Sequence, residues 1–195
     1  LGGMLSKADV NKDGNDDVFF GGASGQSGAL FLGQDDGTFR KGPAQPWEQD
    51  AACEDISSAF FDADGDGDVD LYVVSGGSEF IAGAPLYQDR LYVNNGTGVF
   101  TKTHEAIPAV RTSGSSVAAA DYDKDGDIDL FIGGRHAPAN YGVTPRSFLL
   151  QNQSNENGIK FSDVTNQVNT DLANAGMVTS AIWTDFNNDS WLDLI

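Results

Sequence analysis

Four segments carry carboxylates at alternate positions: "DVNKDGNDDV" from Asp9, "DADGDGDVDL" from Asp62, "DYDKDGDIDL" from Asp121 and "DFNNDSWLDL" from Asp185. They share one template: an acid at position 1, Asp or Asn at 3, Asp at 5, glycine at 6 (Ser190 in the last), Asp at 9, then an aliphatic residue. Alternating oxygen ligands around a glycine turn suit a hard cation, with position 7 contributing its backbone carbonyl. Calcium is the expected ion. Magnesium demands a stricter octahedron and keeps its waters, and zinc or copper would want His or Cys, which the loops lack. The expected side-chain ligands are Asp9, Asn11, Asp13 and Asp17; Asp62, Asp64, Asp66 and Asp70; Asp121, Asp123, Asp125 and Asp129; and Asp185, Asn187, Asp189 and Asp193. The carbonyl donors are Asn15, Asp68, Asp127 and Trp191. Asn11, Asn187 and Ser190 imply weaker binding in the first and fourth loops.

An EF-hand begins in the same way, but it needs a bidentate acid at position 12 and a helix on each side. Position 12 is Phe20, Val73 and Ile132, each inside an apolar, β-favouring run. The EF-hand and the dockerin are therefore rejected, and position 9 must close the site between two strands.

The flanks say what positions these loops. Small or alternating residues precede them ("ISSAFF", "SSVAAA", "VTSAIWT"), and apolar runs follow ("LYVVSGG", "LFIGG"). Both patterns read as strands. Farther on, "ALFLGQDDGTF", "RLYVNNGTGVF" and "SFLLQNQSNENGIKF" place an Asn/Asp/Gly turn between two further strands. No long 3.6-residue periodicity occurs, so little helix is expected. Each repeat thus holds about four antiparallel strands, which describes an all-β chain of β-propeller blades better than a solenoid or sandwich. The Ser- and Ala-rich first strand fits the crowded position nearest the axis. The repeats run approximately over 1–50, 51–110, 111–175 and 176–195, the last truncated.

Composition narrows the partners. The 195 residues are 39% hydrophobic, enough for a core. Their 29 acids against 11 Lys and Arg give a formal charge of -18, which argues against nucleic acid or an anionic membrane surface and makes cations the natural counterpart. More than half of those acids lie in the four loops. No apolar run approaches the roughly eighteen residues of a membrane span. A lone cysteine, Cys53, excludes an intrachain disulfide framework and a Cys-based zinc cage.

The loop followed by "YVVSGG" or "FIGG" and then "LYVNNGTGVF" resembles the FG-GAP or VCBS-type repeats, whose relatives include the calcium-binding blades of the integrin α-subunit propeller. That resemblance spans nearly all of the chain. It implies a seven-bladed propeller, calcium in the hairpin between the first two strands of each blade, and an extracellular, cell-surface or periplasmic setting. With no signal peptide at Leu1 and an end two residues beyond the fourth loop, the chain is expected to be an excerpt: three blades plus a partial fourth. Open blade edges then invite self-association.

Four carboxylates within a few ångströms repel one another, so calcium would act as a structural clamp. No catalytic motif is found: there is no GxSxG and no HExxH, and the histidines are His104 and His136. The expectation is a non-catalytic recognition, adhesion or scaffolding module. Its protein or glycan ligand would sit on the face opposite the calcium loops, where Trp47, Arg111, Arg135, His136 and Tyr141 are the candidate contacts. Alternatives are a carbohydrate-binding propeller and a propeller-type polysaccharide lyase. For each of these residues, ordinary loop packing competes with a ligand role.

Overall fold

A computed structural model describes residues 4–195, so the opening of the first repeat at residues 1–3 lies outside the described residues. Three four-stranded antiparallel sheets follow one another in sequence order. The first holds β1 (Leu5–Ala8), β2 (Asp17–Phe20), β3 (Ala29–Gly33) and β4 (Phe39–Lys41). The second holds β5 (Asp55–Phe61), β6 (Asp70–Ser75), β7 (Arg90–Asn94) and β8 (Phe100–Lys102). The third holds β9 (Ser113–Ala120), β10 (Asp129–His136), β11 (Phe148–Asn152) and β12 (Phe161–Asp163). A two-stranded sheet, β13 (Trp183–Thr184) with β14 (Asp193–Leu194), carries the fourth loop. The single α-helical turn among the described residues is α1 (Thr165–Val168). The architecture is all-β, and each sheet is a propeller blade.

Alternation along the second strand explains how the blades stack. In β6, Leu71 and Val73 pack with Val10, Phe19, Leu30 and Trp47 toward the first blade, whereas Tyr72 and Val74 pack with Leu130, Ile132 and Phe148 toward the third. In β10, Leu130 and Ile132 face the second blade while Phe131 faces Val178 and Trp183 of the fourth repeat. A strand buried on both faces reads as a continuous apolar run, which is why "LYVV" and "LFI" show no polar alternation. Burying each such side chain contributes roughly 1.5–3 kcal/mol.

The first strands line up beside one another: β5 lies against both β1 and β9, and β13 lies against β9. Ser6 Oγ donates to the Ser58 carbonyl at 2.8 Å, and the Trp183 indole N–H donates to the Ala118 carbonyl at 3.2 Å. Small residues at these positions let the backbones approach. The Asp-rich loops connect β1 to β2, β5 to β6, β9 to β10 and β13 to β14, so all four emerge at one end of their blades. The β3–β4, β7–β8 and β11–β12 hairpin turns share that end, while the β2–β3, β6–β7 and β10–β11 connections lie at the other.

Candidate metal loops and the opposite face

Each loop is a run of side-chain-to-backbone turns. The position-1 carboxylate accepts the backbone N–H of position 6: Gly14 to Asp9, Gly67 to Asp62, Gly126 to Asp121 and Ser190 to Asp185, at 2.8–3.1 Å. The position-5 carboxylate accepts the N–H of position 7 in all four, at 2.8–3.0 Å. Closing this turn requires left-handed backbone at positions 4 and 6. Position 6 has φ of 90°, 82°, 99° and 71° at Gly14, Gly67, Gly126 and Ser190. Glycine adopts this freely, and Ser190 carries a cost of about 1–2 kcal/mol for its Cβ.

Position 9 ties each loop to its sheet. Asp17, Asp70 and Asp129 are fully buried. One oxygen accepts the N–H of position 2 (Val10, Ala63 or Tyr122), and the other accepts the N–H at or just beyond the end of the third strand's apolar run (Gly33, Asn94 or Asn152). Among the described residues, Asp193 accepts the position-2 N–H alone, from Phe186 at 3.0 Å. One carboxylate thus holds the loop and the first three strands in register.

In the second and third loops the acids converge. Asp62, Asp64 and Asp70, and likewise Asp121, Asp123 and Asp129, each offer an oxygen within 4.8 Å of the other two. Asp66 and Asp125, expected as position-5 ligands, lie outside these triads. Burial, reinforced by the neighbouring carboxylates, pushes Asp70 and Asp129 up to about 7 and raises Asp64 as well. Asp121 Oδ1 is buried without a hydrogen-bond partner. A hard cation fits this donor set: it would supply the missing partner and restore the ionised carboxylates.

The first and fourth loops close differently. Asn11 Nδ2 donates to Asp13 Oδ2 at 2.9 Å, and Asn187 Nδ2 donates to Asp189 Oδ2 at 3.0 Å. Hydrogen bonds from Asn15 and Asn11 lower the Asp13 pKa. Among the described residues, no acidic triad forms in these two loops.

Contacts between loops and their neighbouring blades were not anticipated from sequence. Asn94 Nδ2 reaches back to the Val10 carbonyl in the first loop at 2.7 Å, and Asn152 Nδ2 reaches the Ala63 carbonyl in the second at 3.1 Å. Each blade therefore buttresses the loop of the one before it. The signal was the asparagine that ends both "LYVN" and "LLQN".

On the opposite face the five candidate contacts do not form one site. Trp47 is a correction: it is 2% exposed, set edge-on against Phe19 and Tyr92 and tilted against Phe100. It fills the seam between the first two blades because its ring is the large apolar body available there, and no face is left for a ligand. Arg111 is exposed at a cleft of about 510 Å³ that His104 and Lys102 also line. His136 and Tyr141 line a separate groove of about 760 Å³ with Val143 and Met177. Tyr141 is fully exposed. Arg135 is exposed on β10 and lines neither cavity.

Behind the first of these clefts lies a buried polar chain. Arg90 pairs with Asp55 at 2.6 Å and lies 3.4 Å from the Tyr92 hydroxyl, which donates to Asp50 at 2.7 Å. Asp89 accepts from Tyr72 and from the Ser75 N–H, and burial pushes it up to about 7. These groups bond to one another where the β6–β7 connection enters the sheet, with Arg90 Nε left buried without a partner.

Stacked four-stranded blades with an oxygen-rich loop after each first strand define a propeller-repeat protein. The sequence profile of the FG-GAP-like repeat matches residues 9–73 and 74–132, and the chain belongs to that family. The matched units break inside β6 and β10, so each spans the end of one blade and the opening of the next. Among solved structures, a rhamnogalacturonan lyase of Bacillus licheniformis is similar in fold, with a TM-score of 0.50 and 13% identity. The match covers all of this chain and 39% of the lyase. No curated protein sequence matches the chain.

Proposed function

We propose that this chain is a calcium-stabilised, non-catalytic binding or scaffolding module of an extracellular or cell-envelope protein. The observation that carries the reading is the pair of convergent carboxylate triads, Asp62/Asp64/Asp70 and Asp121/Asp123/Asp129, repeated in register with the blades. All-oxygen donors at this spacing suit calcium better than a soft or strictly octahedral ion. The ion's work is structural: it offsets the repulsion in the loop and clamps the first two strands of the blade. Calorimetric titration, paired with melting in calcium and in chelator, tests this. Saturable binding with a large loss of stability in chelator supports it; no binding and unchanged melting overturn it.

A second reading, glycan binding, rests on the uncovered ring of Tyr141 beside the 760 Å³ groove. An exposed aromatic ring is a platform on which a sugar can stack. The similar lyase acts, by its name, on rhamnogalacturonan, which makes acidic polysaccharides the first compounds to screen. Retention on such a polysaccharide that Tyr141→Ala abolishes supports this reading. Appearance of unsaturated cleavage products would turn it into the lyase alternative.

A further inference from the structure

Position 4 of the loops departs from what local backbone energetics prefer. It is left-handed in all four, with φ of 59° at Lys12, 78° at Gly65, 65° at Lys124 and 60° at Asn188. Glycine is the unstrained choice and the second loop uses it, yet the first and third carry lysine. Both lysines reach the same place. Lys12 forms an ion pair with Asp68, which is position 7 of the second loop. The Lys124 ammonium sits 3.9 Å from the ring centroid of Trp191, which is position 7 of the fourth. Position 7 is also where the backbone carbonyl would face the ion. Residues at sparsely populated φ/ψ that persist in two equivalent loops point to a role beyond the turn itself.

We propose that Lys12 and Lys124 are built-in counter-cations that couple the loops in pairs, first to second and third to fourth, and lower the calcium affinity of the second loop in each pair. Gly65 leaves the junction between the second and third loops without such a bridge. Without calcium, each lysine partly offsets the carboxylate repulsion of the next loop; with calcium bound, it opposes the ion. This rests on the calcium reading above, and the test separates the two.

The chain labelled with ¹⁵N-glycine reports each loop separately, because the position-6 amides of Gly14, Gly67 and Gly126 all donate to the position-1 carboxylate. In a calcium titration, Lys12→Gln and Lys12→Met should each tighten the second loop about three- to tenfold, the scale of one unit charge several ångströms from a divalent ion in a watery setting. The shift at Gly67 should exceed that at Gly14, and 0.5 M salt should shrink it. Lys12→Arg should behave as wild type. Gly65→Lys should weaken the third loop, read at Gly126. In chelator, Lys12→Gln should melt lower than wild type. An unchanged or weakened Gly67 midpoint in Lys12→Gln, with wild type still titrating, overturns the pairing alone. Failure of all three amides to respond in wild type overturns the calcium reading and this proposal with it.

Discussion

The first and fourth loops share a template with the second and third but solve its electrostatics in opposite ways. Where position 3 is asparagine, its amide donates to the position-5 carboxylate and the loop closes on itself. Where position 3 is aspartate, three carboxylates converge, two of them shifted upward in the second loop, and in the third an oxygen is left buried without a partner. One atom, nitrogen for oxygen, separates a loop that supplies its own donor from one that calls for a cation. The four loops thus keep one backbone shape while differing in whether they supply their own hydrogen-bond donor.

The largest expected effect is loss of the ion from the all-aspartate loops. Two sites held at a hundredfold over Kd contribute about 5 kcal/mol, so chelator should lower Tm by roughly 10–20 °C in a chain of this size. Differential scanning calorimetry in calcium and in chelator measures this, and identical melts would erase the contrast between the two kinds of loop.

Next comes the position-9 anchor, tested in chelator so that no ion contributes. Asp129→Ala leaves the buried N–H of Asn152 and the part-buried N–H of Tyr122 without partners, at a cost of about 2–4 kcal/mol in urea unfolding. Asp193→Ala removes one exposed hydrogen bond and should cost less than about 1 kcal/mol. Equal losses would show that the anchor is not what sets the blades apart.

Exchanging position 3 should exchange the loops' character. Asn11→Asp should tighten calcium at the first loop and Asp123→Asn should weaken it at the third, each by about tenfold, or ~1.4 kcal/mol. Calorimetry on the two single variants and the double swap checks this; a swap that leaves the ranking of the sites intact would place the difference elsewhere in the loops.

Last comes the pH dependence of the metal-free chain. Asp70, Asp89 and Asp129 have folded-state values near 7 against an ordinary 3.8, so the native state binds more protons across that interval. Stability should therefore fall as pH rises from about 4 to about 7, with the full penalty present above it. Asp13, Asp36 and Asp163 are shifted downward, so their opposing contribution is confined to pH below about 4. Calcium should flatten the slope by holding Asp70 and Asp129 ionised, while Asp89 in the buried polar chain keeps its share. A steeper slope with calcium would contradict this assignment.

The loop template was legible because its constraints are local. Glycine at position 6 reads as a left-handed turn, alternate acids read as oxygen ligands, and the runs after position 9 read as strands. The blade pattern followed from repetition of those signals with a hairpin after each. Trp47 was not legible in the same way. A tryptophan between prolines and acids looks like exposed loop, and only the neighbouring blade, supplying Tyr92 and Phe100 far along the chain, turns that position into a core seam. The bonds from Asn94 and Asn152 to the preceding loops escaped notice for the same reason: each partner lies in another repeat.

What the amino-acid order determined by itself was the repeat, its strands, its turns and the oxygen-rich template of each loop, all of which depend on residues within about ten positions of one another. The tertiary structure decided which side chains close a neighbour's loop and which aromatic rings face water. Those outcomes depend on how one blade's surface lies against the next, and that distance is set by packing between sheets rather than by spacing along the chain.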